Sequence, residues 1–495
     1  MIDLRQNKAF ALTFALIFLF LIVSFMAVYI LAVANGISQA NRVANEKKAY
    51  YIADAGLADA YERIVQSGIA NFSSSTCVNP NIPSTCSAPF IPSANAPATD
   101  NGVYAVGGVN GNYIVSVVFS ALPRTNYTIT SQGTYGNVSK TLQLKIIGAS
   151  ISRFAYWSQT EINPQLGTLW WISGMLTTGP VQTNGTFNII GNPVFNGAVS
   201  EVGASPNYHY GTGNNPASTT TSDPGFIFPA GLTNKASAIN LPPPATLQDF
   251  STAATNGGLT LTGASTVIFN PAGTLTVTGN VVNANCVKTT QYNKTTINIP
   301  ASGVIYVQST STIPNCHSNA ADGNATVQGT VNGQLTVAAD QNVYISGNVQ
   351  YNDEPVRPGI PGGDPNSTNL VGLVANNNVT VLEASAPTKL EIDGVMAAIQ
   401  GSFNVDQYAK NPDPIAGGLD GAVMSQFGSL INFASGCTGV VNGAGQLIDG
   451  WNQVQSYDVR LAKLAPPGFP PLVNAANQGV YVKTSISECF SGVCG

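Results

Sequence analysis

The sequence predicts a mainly β protein with one long N-terminal α-helix, and three observations carry this prediction. Residues 9–34 are apolar without a single charge, and residues 37–66 contain no proline. After about Ala149, helix signals nearly vanish, and short apolar runs alternate with Asn-Gly, Gly-Asn and other glycine turns. Runs of this length between turn residues are typical of β-strands. A chain of 495 residues is long enough for roughly one to four domains.

The apolar run at residues 9–34 is predicted to cross a membrane. Its 26 residues would span roughly 39 Å as a helix, more than the ~30 Å hydrocarbon core of a bilayer. The alternative is a cleaved secretory signal peptide, whose apolar region has only about 7–15 residues. Two basic residues before the run favour a cytoplasmic N-terminus, although three others follow it. We therefore expect a single pass through the inner (cytoplasmic) membrane, N-terminus inside, with the C-terminal body periplasmic or extracellular.

The helix is predicted to continue beyond the membrane. Val43, Tyr50, Leu57 and Ile64 recur at seven-residue spacing and would give one apolar stripe. A continuous helix over residues 10–66 would be roughly 85 Å long. Its first half is apolar on all sides, so membrane lipid is an expected partner. The stripe of its second half would pack on a domain or on a neighbouring chain.

Two kinds of β structure are predicted after the helix. Residues 69–100 form a linker rich in Ser, Pro and Asn, and alternating apolar residues between Tyr113 and Ile146 predict three or four strands of a small antiparallel sheet. Beyond it we expect an irregular right-handed β-solenoid, because several runs share an apolar-x-apolar-x-Gly-x-apolar pattern. No strict repeat is visible, so a β-sandwich is the alternative.

The N-terminal segment resembles type IV pilin-like proteins, above all accessory pilins of the PilX and GspK type. The resemblance lies in the Ala9-Phe10 junction, the apolar helix and the stretch KKAYYIADAGLADAYERI. It implies that a prepilin peptidase cuts after Ala9 and leaves Phe10 as the N-terminus. Major pilins have Glu where this chain has Phe14, so the resemblance does not imply a bulk filament subunit. It does imply that other pilin-like subunits bind through the helix.

The same resemblance places the junction between helix and head in the stretch YIADAGL. Its implied junction residues are Tyr51, Asp54, Gly56 and Leu57, with Asp54 where the family usually has Glu. In the body, the segments WWISG (170–174), TTGPVQTNGTFNIIGNPVFNGAV (177–199), NVYISGNVQYND (342–353) and SYDVRLAKLAPPGFPP (456–471) carry a second resemblance. Over most of residues 150–475 the body is similar to an uncharacterised bacterial domain family often found behind pilin-like N-termini. That similarity implies architecture rather than activity.

The predicted division of the chain follows from these segments. It comprises a leader at 1–9, the transmembrane and pilin-like helix at 10–68, the linker and small β domain at 69–148, the solenoid-like domain at 149–475, and a C-terminal tail at 476–495.

The composition excludes several functions. Charged residues are only 9% of the chain and the net charge is −5, so the basic surface typical of nucleic-acid binding is missing and no nucleic-acid partner is expected. The only histidines are His209 and His317. Because neither lies in a Cys/His pattern with zinc spacing, we expect no metal site and no cofactor.

An enzyme acting on polysaccharide would need clustered carboxylates. The candidates are Asp353 and Glu354 with Arg357, and Asp393 with Asp406. The first group lies in a Pro/Gly-rich loop, and adjacent strand residues point to opposite faces. Two further residues, Asp458 and Arg460, are two positions apart and are predicted to pair as a structural latch. We therefore predict no catalytic residues.

Aromatic residues and cysteines are the remaining candidates. The aromatic residues proposed to face a ligand are Trp170, Trp171, Tyr208 and Tyr210, although Trp170 and Trp171 would alternate faces on a strand. Seven cysteines fit an oxidising compartment. The candidate disulfides, with connectivity open, are Cys77–Cys86, Cys286–Cys316 and Cys489–Cys494, which would leave Cys437 over.

These observations favour a non-enzymatic, membrane-anchored, pilin-like accessory or surface protein of a type IV pilus-like system, with the pilus itself as an alternative location. Its β-rich extracytoplasmic body would serve assembly or adhesion, and a surface glycan or a host or abiotic surface is a candidate partner. The alternatives are a β-solenoid enzyme acting on polysaccharide and a single-pass envelope protein without a filament role.

Overall fold

The structure is a computed structural model that describes most of the chain. The described residues are 4–66, 102–108, 111–119, 126–209, 224–240, 246–313, 316, 322–358, 362–406, 423–441, 447–469, 473–474, 481–490 and 493–494. The predicted linker with Cys77 and Cys86, as well as Tyr210 and His317, lies outside them.

Three α-helices and thirty-four strands are defined within the described residues. The helices are α1 (Leu4–Gln66), α2 (Pro224–Ile227) and α3 (Thr246–Thr255). The strands of the first, small sheet are β1 (Gly102–Gly108), β2 (Gly111–Phe119), β3 (Asn126–Tyr135), β4 (Val138–Gly148), β33 (Tyr481–Phe490) and β34 (Val493–Cys494).

The remaining strands belong to the body, which comprises residues 149–474. They are β5 (Tyr156–Thr160), β6 (Ile162–Asn163), β7 (Gly167–Thr168), β8 (Trp171–Ile172), β9 (Leu176–Thr177), β10 (Val181–Thr183), β11 (Asn188–Ile190), β12 (Val194–Phe195), β13 (Val199–Glu201), β14 (Asn207–His209), β15 (Leu232–Thr233), β16 (Ile239–Asn240), β17 (Leu259–Asn270), β18 (Thr274–Val282), β19 (Lys288–Asn298), β20 (Val304–Gln308), β21 (Ala325–Val331), β22 (Gln334–Ala339), β23 (Val343–Tyr351), β24 (Leu370–Ala375), β25 (Val379–Val381), β26 (Lys389–Ala398), β27 (Phe403–Val405), β28 (Val423–Ala434), β29 (Gly439–Val441), β30 (Leu447–Gly450), β31 (Asn452–Tyr457) and β32 (Val473–Asn474).

The prediction of a mainly β protein with one long N-terminal helix is confirmed. Helix α1 has 63 residues and is about 95 Å long. The large apolar side chains of its first half, between Leu12 and Ile37, are 41–74% exposed. Among the described helices, α1 alone is long and apolar enough to cross a membrane, judged by length and composition.

The second half of α1 lies on the small sheet through a different stripe from the predicted one. The buried positions are Ala49, Ala53, Leu57, Ala60 and Ile64. Of the predicted stripe, Leu57 and Ile64 are buried, whereas the other two members, at positions 43 and 50, are 52% and 37% exposed. Alanine replaces the larger residues because the helix and sheet backbones approach very closely there.

The surroundings of Gly133 show how closely α1 approaches the small sheet. A Cβ atom on Gly133 of β3 would lie 2.3 Å from both the carbonyl oxygen of Ala49 and the amide nitrogen of Ala53. Gly56 of α1 is equally tight, since its Cβ would lie 2.2 Å from the Ser131 hydroxyl. Helix and sheet therefore pack backbone against backbone, which no larger side chain permits.

The small sheet is built from two separated parts of the chain. Strands β1 to β4 form an antiparallel meander, and β33 pairs antiparallel with β4. Strands β33 and β34, which lie in the segment that the sequence assigns to a tail, thus complete this sheet. The body is inserted between the adjacent strands β4 and β33 and is joined to the sheet by two connections.

Parallel pairing dominates the body. A first ladder of parallel strands runs β17, β20, β22, β24, β26, β28, β5, β10, β13 and β15. A second ladder runs β17, β21, β23, β25 and β27. A third runs β21, β23, β26, β28, β31, β9 and β12, and a short fourth joins β8, β11 and β14.

Several strands bend from one ladder into the next. In β26 and β28 the bend occurs at Gly394 and Gly428, which are register partners with φ of +118° and +144°. A Cβ on Gly428 would lie 1.9 Å from the carbonyl oxygen of Gly394. Only glycine fits this corner, because both the φ angle and the contact exclude a side chain.

The order of the strands in space is not their order in sequence. Strand β5, the first of the body, pairs with β28 near its end. The segment from β5 to β15 therefore stacks beyond the last coil, and α3 leads the chain to β17 at the other end of the first ladder. There the antiparallel strands β18 and β19 close the ladder with a polar, largely exposed edge, an arrangement that limits edge-to-edge pairing.

Candidate functional site

The junction between α1 and the small sheet divides the four residues implied by the pilin resemblance into two pairs. Gly56 and Leu57 are buried against the sheet, whereas Tyr51 is 67% exposed and Asp54 is also exposed. The first pair sets the distance between helix and sheet. The second pair lies on a face of the helix that the sheet leaves open.

Polar contacts fix the helix on the sheet along its length. The hydroxyl of Tyr113 donates to Asp59 Oδ2 at 3.1 Å, and Lys48 Nζ donates to the hydroxyl of Tyr135 at 3.1 Å. The hydroxyl of Tyr61 donates to the backbone oxygen of Tyr481, on the strand from the C-terminal end of the chain. These contacts bind the helix to both parts of the small sheet.

An aromatic cleft of about 320 Å³ opens in the body. Five aromatic residues line it, Tyr156, Trp170, Trp171, Phe403 and Trp451. Three of the four tryptophans of the chain are among them. Every residue that lines the cleft is uncharged.

The cleft lies where one ladder is interrupted. The second ladder ends at β27 and the fourth begins at β8, and no pairing joins these two strands in the described part of the chain. In the space between β27 and β8, the segment that follows β28 leaves the ladder, and its strands β29 and β30 pair antiparallel. Two bonds hold this segment in place: Val405 N donates to Cys437 O, and Asn163 Nδ2 donates to Ser435 O.

Amide side chains form much of the polar part of the cleft. They are Asn432, Asn452, Gln453 and Gln455. Gln453 Nε2 donates to the buried Gln426, and Gln455 Nε2 donates to the backbone oxygen of Ala155. These bonds fix the orientation of both amides.

A buried carboxyl group orients the aromatic wall from behind. Glu161 accepts from the hydroxyl of Tyr156 at 3.2 Å, from Trp171 Nε1 at 3.3 Å and from the hydroxyl of Ser158. Burial raises the pKa of Glu161, and these hydrogen bonds oppose the rise. The network holds the rings of Tyr156 and Trp171 edge to face at 4.9 Å.

A second buried carboxyl group lies in the same region. Glu201 is completely buried, and its Oε2 accepts from the amide of Phe187 at 3.1 Å. Burial raises its pKa from 4.5 to about 7, and the charge of Glu161 contributes to the rise.

The aromatic candidates of the sequence are only partly brought together. Trp170 and Trp171 both line the cleft, and Trp171 is 7% exposed and belongs to the core. Tyr208, on β14, packs half-buried against the core and does not line the cleft. His209 ends β14.

Sequence reasoning missed the amides and the buried acid of this cleft. On β31, Gln453 and Gln455 occupy alternate positions that face inward, next to Trp451. Glutamine at two successive inward positions of a strand was the available signal, because buried amides require specific partners.

Among the carboxylate candidates, Asp393 forms an ion pair with the candidate cation Arg357. Arg357 pairs with Glu391 at 2.8 Å and with the buried Asp393 at 3.0 Å, not with its near neighbours Asp353 and Glu354. Burial raises the pKa of Asp393 to about 7, and Arg357 opposes the rise.

Two other carboxylate candidates, Asp353 and Asp406, also have partners within the protein. Asp353 accepts from Asn369 Nδ2 at 2.6 Å, and Asp406 accepts from the amide of Glu383 at 2.7 Å. Asp406 follows β27 and Asp393 lies on β26, and no hydrogen bond or ion pair in the described chain joins the two side chains.

Asp458 and Arg460 form the predicted pair. Their side chains meet at 2.6 Å, and Arg460 also donates to Ser367. The guanidinium of Arg460 lies 5.2 Å from the ring centre of Tyr351, and that of Arg357 lies 4.4 Å from the ring centre of Phe427. The pairs thus tie loops to the ladders. Among the described residues, no group of three or more His, Cys, Asp or Glu could hold a metal ion.

Two of the cysteine pairs have counterparts in the structure. Cys286 and Cys316 form a disulfide that ties the β18–β19 turn to the segment after β20. Cys489 is disulfide-bonded and is the register partner of Cys494. The thiol of Cys437 donates to the backbone oxygen of Gly439 at 2.9 Å, at the edge of the cleft.

Comparisons with known proteins give a family match over part of the chain and an alignment with a solved structure. Residues 123–204, from β3 to β13, match a domain of unknown function, DUF4900. No curated protein matches the chain. Among solved structures, the competence-associated pilin ComZ from Thermus thermophilus aligns over 90% of this chain and 97% of its own, with 14% identity and a TM-score of 0.30. That score is too low to establish a common fold.

Proposed function

We propose that this protein is a non-enzymatic, membrane-anchored accessory subunit of a type IV pilus-like system, and that it displays its body outside the cytoplasm for assembly or adhesion. One observation carries the proposal. A single helix, α1, has a first half whose large apolar side chains are exposed and a second half packed on a sheet. Burying the exposed half among lipids or like helices would remove a large apolar surface from water.

The junction supports contacts with neighbouring subunits. Tyr51 and Asp54 lie on the open face of α1, beside the half that would enter the membrane. A parallel helix from another pilin-like subunit would meet this face first. Ala9 and Phe10 lie within α1, and cleavage between them by a prepilin peptidase is part of the proposal.

The body is proposed to be an irregular solenoid that presents a rigid surface. Its long parallel ladders and the turns between them support a stack of coils rather than two facing sheets. The ion pairs of Arg357 and Arg460 support a structural role, since their carboxylate partners already have a charged or hydrogen-bonding partner within the protein.

The first test is mass spectrometry of the mature N-terminus from native cells. The proposal predicts a peptide that begins at Phe10, with a methylated amine. An N-terminus at Met1 in a protein that stays in the membrane would instead favour a single-pass envelope protein without a filament role.

The second test is photo-crosslinking in the native membrane. A photoreactive amino acid at Tyr51 is expected to capture a second pilin-like chain. The matched control carries the same amino acid at Val287, which is 57% exposed and lies in the body, between β18 and β19. Equal capture of such chains from both positions, or capture from neither, would contradict a subunit interface on α1.

A further inference from the structure

We propose that the aromatic cleft, bounded by Trp170, Trp171, Trp451, Asn452 and Gln453, is a binding site for a neutral saccharide. This deepens the proposed display function, and it rests on that function only for where the ligand is met. The site itself is argued from its lining, its rigidity and its position.

The lining combines two chemistries that match a sugar. Aromatic faces pack against the C–H faces of a pyranose ring, and fixed amides both donate to and accept from hydroxyl groups. The ring of Trp451 adds apolar area to the same wall, and its buried indole N–H has no acceptor among the described residues. Rings and amides together therefore match the C–H faces and the hydroxyl groups of a sugar.

The absence of charged residues from the lining of the cleft restricts the class of ligand. None of its lining residues carries a charge, so neither a phosphate nor a carboxylate would find a cation, and a basic peptide would find no anion. The buried Glu161 lies behind Tyr156 and Trp171 and accepts hydrogen bonds from Tyr156, Ser158 and Trp171. An uncharged ligand is therefore favoured.

The amides argue against a lipid tail as the occupant. Asn432, Gln453 and Gln455 are each at least nine-tenths buried. An alkyl chain packed over them would offer no hydrogen bond to their amide groups, whereas a hydroxyl group would. A volume of about 320 Å³ is at the lower end of small-molecule sites. It suits a short stretch of a glycan chain.

The cleft is also preorganised. Its walls belong to strands of several ladders, and hydrogen bonds fix Trp171, Tyr156 and the two glutamines before any ligand arrives. Rigid aromatic groups on regular elements lose little entropy when they bind.

The experiment uses the full chain in a detergent without a sugar headgroup, since a glycoside detergent would compete. Maltotriose, cellotriose and tri-N-acetylchitotriose are titrated by calorimetry, and tryptophan fluorescence is recorded in parallel because three of the four tryptophans line the cleft. Tri-galacturonate serves as the anionic probe. At least one neutral trisaccharide should bind and change the fluorescence, and the anionic probe should bind at least about tenfold more weakly.

The variants locate the site. Trp170→Ala is expected to weaken binding at least about tenfold, and Asn452→Ala should weaken it less; both residues are at the accessible rim. Tyr208→Ala is the matched control, since Tyr208 is half-buried on β14 of the fourth ladder but outside the cleft, and the affinity of this variant should be unchanged.

Three results would overturn the inference: no neutral trisaccharide binds, the galacturonate binds as tightly, or Trp170→Ala binds like the parent. The outcome is independent of N-terminal processing. Saccharide binding by a chain that retains Met1 would support the cleft and contradict the pilus assignment, whereas a processed chain without binding would do the reverse.

Discussion

The small sheet and the body bury their cores by opposite means. On the small sheet, α1 packs through Ala49 and Ala53 on Gly133, and this close contact is possible only because these residues have a small side chain or none. In the body, ladders of Val, Ile and Leu stack on one another, and buried ion pairs such as Arg357–Asp393 tie the loops down. Substitutions that add atoms should therefore destabilise the small sheet, and substitutions that remove atoms should destabilise the body.

The largest effect is expected from adding atoms to the helix–sheet contact. In Gly133→Val, the new Cβ would meet the backbone of α1, and we expect a loss of about 4 kcal/mol or more in the stability of the small sheet. Valine otherwise favours strands, so strand propensity alone would predict a gain in stability. Hydrogen exchange of the amides in β3 and in residues 49–64 measures the change.

The control places the same residue one position along β3. Thr134→Val lies on the face of the strand away from α1 and should change stability little. Equal protection of the helix amides in Gly133→Val and Thr134→Val would refute the backbone-to-backbone contact.

The body should respond to the removal of a buried partner. Arg357→Met leaves Asp393, whose side chain is 0% exposed, without its cation, and we expect a loss of about 3 kcal/mol measured by chemical denaturation. The matched control is Arg42→Met, which breaks the exposed pair with Glu46 and should cost no more than about 0.5 kcal/mol. Similar losses in the two variants would show that burial does not set the difference.

Burial of an acid gives a smaller, pH-dependent effect. The pKa of Glu201 is raised by burial to about 7 in the folded chain, so the folded state holds a proton that the unfolded state has released. The stability of the body should therefore fall as the pH rises from about 4.5 to about 7, by ~1–3 kcal/mol.

The variant Glu201→Gln tests whether Glu201 causes this pH dependence, because glutamine cannot ionise. It should be more stable than the parent above pH 7, and the advantage should shrink toward pH 4.5. Thermal unfolding at a series of pH values provides the measurement. A parent and a variant with the same slope between those pH values would assign the dependence to other groups.

The sequence predicted what depends on local pattern. The uncharged run made the helix evident, and alternation marked β2, β3 and β4 because one face of each is buried. Strand β33 was missed because residues 483–486 are exposed and lack alternation. The true buried stripe of α1 was missed because alanine carries little hydrophobic signal.

Long-range order could not be predicted in the same way. The pairing of β5 with β28 joins residues that are 274 positions apart, such as Tyr156 and Leu430, and without a strict repeat no local pattern predicts it. The cleft depends on that pairing, since its residues come from β8, β27, β28 and β31. Trp170 and Trp171 were predicted as ligand-facing from composition, but their partners Gln453, Gln455 and Glu161 become neighbours only once the coils are stacked.

Alkaline carbonate extraction of membranes from cells that express the full chain tests the anchor most directly. Because α1 presents large apolar side chains from Leu12 to Ile37 that no described part of the protein covers, the protein should stay in the membrane pellet. The double substitution Ile22→Lys and Phe25→Lys, at a cost of about 2.5–3.5 kcal/mol for each lysine, should release a large share of it. Recovery of the unaltered chain in the soluble fraction would contradict the account.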